Sequence, residues 1–155
     1  MNDLIWPASL AGLISTAVIF GTDMFFLTVG RPALRSAAES AATEVMGFIH
    51  VFGDRRMPIW GGLAILSNLL LVLFCKGGPR AFYLLSVSML ILFVVIYNRF
   101  SKPINRLQTE AAKAGRKLDN ARALQASWDR SLMIRFPLLA VSMLGQLVAV
   151  LATSA

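Results

Sequence analysis

Four long apolar runs divide the chain and constrain its fold more than any other feature. They cover about residues 4–29, 58–75, 81–97 and 136–152. The last three are close to the roughly 17-residue minimum that lets a helix cross about 30 Å of hydrocarbon. None of the runs alternates polar and apolar residues with the period of two that a membrane β-barrel requires. The sequence therefore predicts an all-α, integral membrane four-helix bundle.

The composition agrees with this fold class. Hydrophobic residues make up 57% of the chain and the mean hydropathy is +0.68. Charged residues make up 15%, well below the roughly 25% that is typical of soluble proteins. A length of 155 residues predicts one domain, residues 1–155, with no second independent core. The one cysteine excludes a disulfide within the chain.

Basic residues concentrate in two of the connections between the runs. Thirteen of the 15 lysines and arginines lie between the first and second runs or between the third and fourth. By the positive-inside rule, we expect both long connections in the cytoplasm and both termini outside, in a bacterial inner membrane. Membrane topology therefore explains the net charge of +7, and we expect no nucleic-acid partner. Lipid is the expected partner, and a homo-oligomer stays open.

Both long connections are predicted to be helical and to cap the cytoplasmic side of the bundle. The first cap helix, residues 32–52, carries one apolar stripe at helical spacing. The stripe consists of Leu34, Ala38, Ala41, Val45, Ile49 and Phe52. The second, residues 103–132, has the 3-4 spacing of a packed helix pair, beginning with Ile104, Leu107 and Ala111. Gly115 is the predicted break within it.

Two ionisable side chains, Asp23 and His50, are the candidate catalytic residues. Asp23 is the only acid inside a predicted span, where an unpaired charge is costly and often functional. The alternative is a structural ion pair with Arg99 or Arg135. His50, the only histidine, lies on the polar side of its helix and could carry protons, with Asp54 orienting the ring. The alternative is a solvated loop histidine.

Three residues interrupt the apolar seam of the second cap helix: Gln125, Trp128 and Arg135. Together they predict the wall of a polar-lipped, substrate-binding pocket. The alternatives are an interfacial tryptophan and an arginine that reaches the lipid headgroups. One histidine cannot supply a three-histidine zinc site or a bis-histidine haem site within one chain, so no metal site is predicted. The cofactor is left open.

The segments "GTDMFFLTVGRPAL" in the first run, "KPINRL" after the third and "WDRSLMIR" before the fourth carry a family resemblance. Together they resemble the anthrone oxygenase-like family of small four-span membrane proteins, a domain of unknown function. The resemblance covers most of the chain. The family's P-x-N element corresponds to Pro103 and Asn105, and its W-x6-R element to Trp128 and Arg135. Leu132 stands where some members carry a histidine.

The resemblance implies a pocket for an apolar, aromatic or quinone-like molecule. Fungal members are implicated in oxygenating anthrones to anthraquinones, and most bacterial members have no assigned reaction. By this resemblance, Trp128 would stack on the ligand, Asn105 and Arg135 would hold its oxygens, and His50 or Asp23 would be the base. Such a substrate could react with O2 without a cofactor, because its carbanion is itself a reductant. The alternative is a non-catalytic membrane subunit, lipid-binding or assembly protein, so whether the protein is an enzyme stays open.

Overall fold

The computed structural model describes residues 2–154, and every element in that range is helical. The α-helices are α1 (Asn2–Phe25), α2 (Arg31–Ser36), α3 (Glu39–Phe74), α4 (Gly77–Ile96), α5 (Lys102–Lys113) and α6 (Ala121–Ser154). Two π-helical turns, Phe26–Gly30 and Tyr97–Ser101, join α1 to α2 and α4 to α5 without a break. The predicted all-α fold is confirmed.

These elements form four rods, each long and apolar enough to cross a membrane. The rods are Leu4–Ser36, Glu39–Phe74, Gly77–Lys113 and Ala121–Thr153. The first and third rods each pack against both the second and the fourth. Only short connections join one rod to the next, so consecutive rods run in opposite directions. The four-helix bundle is confirmed, and the chain is an integral membrane protein.

The rods are longer than a bilayer is thick. At 1.5 Å per residue, 33 to 37 residues extend about 50 Å, against about 30 Å of hydrocarbon. Both long connections lie at the same end of the bundle, which we call the basic end. The rods therefore project from the bilayer, and the concentration of lysine and arginine favours the basic end as the projecting one. The cytoplasmic location of this end stays a prediction.

The cap helices are continuations of the rods, and their boundaries differ from the predicted ones. The first cap helix was predicted to cover residues 32–52. In the structure the helix is instead interrupted at Ala37 and Ala38, where the backbone is extended with ψ of 159° and 140°, and it continues past residue 52 into the second rod. The second breaks after Lys113 at Gly115, which has a φ of +59° that favours glycine. The break at Gly115 is the one that the sequence predicted.

The apolar stripe of the first cap helix faces outward. Val45 is 51% and Phe52 53% exposed, whereas the opposite face of α3, which includes Gly47 and His50, is buried against α5. Gly47 allows this close contact, because a Cβ there would collide with the backbone of Gln108. The bundle therefore packs the polar side of this helix inward.

Nearer the middle of the bundle, the helices associate through small and amide-bearing side chains. We call this group the central cluster: Gly12, Thr16, Ser67, Asn68, Ser86, Ser142 and Gln146, all buried. Gln146 Nε2 donates a hydrogen bond of 2.8 Å to Thr16 Oγ1. Ser86 and Ser142 each donate to the other's backbone carbonyl, at 2.9 and 3.2 Å. Such contacts are a usual means of helix association in lipid.

Candidate functional site

Side chains from all four rods meet around a small cavity near the basic end. Its volume is about 90 Å³. We call its polar side chains the basic-end cluster: Asp23, His50, Asp54, Tyr97, Asn105, Trp128 and Arg135. All except Asp54 and Tyr97 are buried. The cavity thus contains five of the six residues that the sequence proposed as a site.

The two π-helical turns flank this cavity. Phe26, the first residue of one turn, and Tyr97, the first residue of the other, both line it. A π turn contains one more residue than an α turn, so it changes which side chains of the following helix face inward. Such turns are frequent at functional sites.

Asp23 forms a buried ion pair with Arg135. Asp23 Oδ1 lies 3.1 Å from Arg135 Nη2, and the two side chains are 8% and 3% exposed. This is the structural pairing that the sequence left open as the alternative to a catalytic role. Arg99, the other proposed partner, is exposed and lies over the ring of Phe100.

The guanidinium of Arg135 is enclosed but not saturated with hydrogen bonds. Arg135 Nη1 donates to Ser101 Oγ at 2.5 Å. Its Cζ lies within 5.2–5.8 Å of the ring centroids of Phe93, Tyr97 and Trp128, a distance that favours cation–π attraction. Arg135 Nε and Asp23 Oδ2 are buried and have no hydrogen-bond partner among the described residues. A water molecule or ligand in the cavity could satisfy them.

A chain of hydrogen bonds links Trp128 through the third rod to the second. Trp128 Nε1 donates to Asn105 Oδ1 at 3.0 Å, and Asn105 Nδ2 donates to Asp54 Oδ1 at 2.9 Å. Tyr97 Oη also donates to Asp54 Oδ1, at 2.5 Å. The indole donor and the carboxylate acceptor together fix the orientation of the Asn105 amide. Asp54, predicted to orient His50, therefore holds Tyr97 and Asn105 instead.

His50 is oriented by a separate relay of amides. His50 Nε2 lies 2.9 Å from Gln108 Oε1, Gln108 Nε2 donates to Gln125 Oε1 at 3.3 Å, and Gln125 Nε2 donates to Asp129 Oδ1 at 3.0 Å. The carboxylate of Asp129 can only accept hydrogen bonds, so Gln125 turns its NH2 group toward Asp129 and its oxygen toward Gln108. Gln108 is oriented in the same way and turns its oxygen toward His50. The Nε2 atom must then carry a proton. In the neutral ring this leaves Nδ1 with its lone pair.

Asp129 is itself fixed by two arginines of α2. Its Oδ2 accepts from Arg31 Nε at 3.0 Å and from Arg35 Nη2 at 3.1 Å. Gln125 therefore lies in the relay behind His50 and not among the residues that line the cavity. Its predicted contact with substrate stays a prediction, and the geometry shows a positioning contact.

Tyr97, Gln108 and Asp129 belong to these networks, although the sequence did not single them out. Gln108 lies three residues after Asn105 on α5, and both are buried. Two amide side chains on one face of a helix, among apolar residues, are a pattern that could have predicted a buried polar network here. Tyr97 had no comparable signal, because its direction depends on the π-helical turn.

The cavity adjoins an apolar groove of about 380 Å³ between α3 and α4. Cavity and groove share five lining residues: Ile19, Asp54, Met57, Phe93 and Tyr97. Gly61 and Gly62 also line the groove, and a Cβ at Gly62 would meet no atom within 4 Å. The outward-facing residues on this part of α3 are apolar, which indicates a groove that opens toward lipid.

The described part of the chain contains no group of three His, Cys, Asp or Glu side chains that could hold a metal ion. Compared with known protein families, characterised proteins and solved structures, the chain has no significant match.

Proposed function

We propose that this membrane protein binds a lipophilic hydroxyaromatic molecule of the anthrone or quinone type and oxidises it with O2. The supporting observation is that a cavity with an unpaired carboxylate oxygen and an unpaired guanidinium N–H adjoins an apolar groove. The groove, at about 380 Å³, falls within the roughly 300–1,000 Å³ typical of ligand pockets. The cavity, at about 90 Å³, admits only the oxygen-bearing edge of such a molecule.

In this proposal the ligand enters from the bilayer between α3 and α4. Its apolar rings lie along Gly61 and Gly62, and its oxygen reaches past Tyr97 toward Arg135. The unpaired Nε of Arg135 would donate a charge-assisted hydrogen bond to a phenolate or enolate oxygen. Trp128 already contacts Arg135 and Phe26, so its contribution is to hold Asn105 and Arg135 in place.

His50 is the proposed base and Asp23 the second candidate. The Nδ1 lone pair of His50 would accept a proton from the CH2 carbon of an anthrone-type ring. The resulting carbanion, delocalised as an enolate, reduces O2 and forms a C–O bond. Return of the proton gives a hydroperoxide, which loses water to leave a carbonyl. The sum is CH2 plus O2 to C=O plus H2O, with O2 as the oxidant.

The second candidate function is a non-catalytic membrane module. It is favoured by the enclosure of Arg135, because Asp23, Ser101 and three aromatic rings already surround the guanidinium. In that case the basic-end cluster serves to hold the four rods together, and the groove holds a lipid chain.

Oxygen uptake distinguishes the two functions. Purified protein in lipid nanodiscs is given a hydroxyanthrone, and empty nanodiscs report the uncatalysed oxidation. We expect protein-dependent O2 consumption with matching quinone formation, and a decrease of about 10²-fold or more in His50→Gln. Lys76→Gln, at the opposite end of the bundle, is the control and should turn over normally. Absence of protein-dependent uptake would reject the enzyme, and unchanged turnover in both His50→Gln and Asp23→Asn would reject the assigned bases.

A further inference from the structure

A basic cleft lies beside the groove, between α3 and α5. Its volume is about 630 Å³, and four cationic side chains line it: Arg55, Lys102, Arg106 and Lys113. Asp54 is the only acid in its lining. The carboxylate of Asp54 keeps its charge while it accepts hydrogen bonds from Tyr97 and Asn105, but it is one anion against four cations. The cleft therefore carries a net positive charge.

Most of that positive charge is available to a ligand. Arg55 and Lys113 form no ion pair with any described residue. Lys102 Nζ makes only a 3.5 Å contact with Asn98 Oδ1. Arg106 pairs with Glu110 at 3.4 Å, but both side chains are more than half exposed, so the pair can open readily.

The cleft and the groove are continuous. They share Asp54, Asn98 and Lys102 in their linings, and Lys102 stands where the apolar surface gives way to the charged one. His50 and Asp54 line both the cleft and the inner cavity. A single ligand could therefore lie with an apolar body in the groove and an anionic group in the cleft, with the inner cavity between them.

We infer that the substrate is an amphiphilic acid, a lipophilic ring system that bears a carboxylate. This inference rests on the proposed function and names its substrate class. The carboxylate binds among Arg55, Lys102 and Arg106, where charge-assisted hydrogen bonds are the strongest available. The rings occupy the groove beside Gly62. Other basic residues of this end, such as Arg99 and Arg116, do not line the cleft, so substitutions there can serve as controls.

The test compares two fluorescent probes that differ only in charge, anthracene carboxylate and anthracene methanol. Binding is measured in nanodiscs of zwitterionic lipid. We expect the carboxylate to bind roughly ten-fold more tightly, with an advantage that shrinks as salt is added. The variant Arg55→Gln/Arg106→Gln/Lys113→Gln changes three side chains that line the cleft but not the groove, so it should lose this advantage and bind the neutral alcohol as before.

A matched control removes the same number of charges elsewhere: Lys76→Gln/Arg80→Gln/Arg116→Gln. It should keep the preference for the carboxylate. Gly62→Phe should weaken both probes by filling the groove, whereas Gly21→Phe, on a lipid-exposed position with no atom near its Cβ, should weaken neither. Equal affinity of the two probes for the wild type would overturn the inference. So would an equal loss for both probes in the cleft variant.

Three further outcomes separate the possible failures. If anionic phospholipid added to the nanodiscs displaces the carboxylate probe completely, the occupant is a bilayer lipid and the inference is overturned. Oxygen uptake is measured on the same samples with a hydroxyanthrone and with its carboxylated analogue. Charge-dependent binding without turnover rejects the proposed oxidation and keeps the ligand class. Turnover with no preference for the carboxylated substrate rejects the ligand class alone.

Discussion

The central cluster and the basic-end cluster both bury polar side chains between the same four rods, yet they differ in chemistry and in packing. The central cluster contains hydroxyl and amide groups and no formal charge. It closes tightly around Gly12, where a Cβ would lie 3.1 Å from Asn68 Nδ2 and 3.2 Å from Ser67 Cβ. The basic-end cluster contains an aspartate–arginine pair, a histidine and a second aspartate, and it leaves a cavity of about 90 Å³.

The difference shows which feature marks a candidate site in a membrane bundle. Buried polar atoms without a hydrogen-bond partner among the described residues do not mark the site, because both clusters contain them. They are Asn68 Oδ1 and Gln146 Oε1 in the central cluster, and Asp23 Oδ2 and Arg135 Nε in the basic-end cluster. Neutral polar contacts in lipid stabilise helix association by about 1 kcal/mol. A buried ion pair often fails to repay its desolvation, so helix packing alone does not account for it. Charge combined with unfilled space is therefore the informative observation.

The largest expected effect is on the ion pair. Arg135→Met leaves the buried carboxylate of Asp23 without its partner and should lower the free energy of unfolding by about 3–5 kcal/mol. The double variant Asp23→Leu/Arg135→Met should recover part of that loss, because it removes both charges. Unfolding by titration with a denaturing detergent, followed by circular dichroism, measures both. Asp23→Leu alone completes the cycle, and a double variant whose loss equals the sum of the two single losses would show that the pair is not coupled.

The next effect concerns the contact that holds α5 against α3. Gly47→Ala places a methyl group against the Gln108 backbone and should destabilise the protein by about 1–3 kcal/mol, because backbone cannot move aside easily. The same unfolding assay applies. Gly53→Ala on the same helix, where a Cβ meets nothing within 4 Å, is the matched control and should be close to neutral. Similar losses in both variants would contradict the close packing.

A smaller effect is expected in the central cluster. Gln146→Leu removes the hydrogen bonds to Thr16 and Ser142, and we expect a loss of about 1 kcal/mol. Oxygen uptake and probe binding should be unchanged, since this cluster lies away from the cavity lining. If Gln146→Leu abolished turnover while the protein stayed folded, the distinction between the two clusters would fail.

The smallest effect is expected at the surface of the basic end. Glu110→Gln breaks an ion pair with Arg106 in which the side chains are 54% and 78% exposed. Such pairs contribute about 0.5 kcal/mol or less, so thermal unfolding should hardly change. The same variant should bind the carboxylate probe at least as well as the wild type, because it frees Arg106. Weaker binding would argue against a role for Arg106 in the cleft.

The four rods and the break at Gly115 could be predicted because apolar runs and glycines act locally. The inward face of α3 could not. Val45 and Phe52 suggested a packing stripe, but lipid is as apolar as a protein core, so an apolar face can equally lie outside. His50 is 5% exposed because the opposite face packs on α5. His50 therefore faces the second cap helix and is not a solvated loop histidine, the alternative that the sequence left open.

The site was predictable where a polar residue interrupts an apolar seam, as Trp128 and Arg135 do. On α5 the same reasoning chose Leu107, which is 42% exposed, over its buried neighbour Gln108. Apolarity favoured the leucine, but the interior takes the glutamine because His50 and Gln125 satisfy its amide. Which residue of a helix faces the interior thus depends on hydrogen-bond partners on other helices. The sequence of one helix alone does not reveal those partners.

The two π-helical turns have a consequence for how such a site can arise. Each amounts to one residue inserted into ordinary α-winding, and each lies in one of two diagonally opposed rods, level with the cavity. Deleting a residue from the Tyr97–Ser101 turn should restore regular winding and rotate α5 by about 100° relative to α4. Asn105 and Gln108 would then swing away from the interior. A single-codon insertion is therefore enough to turn a lipid-facing amide into part of a buried centre.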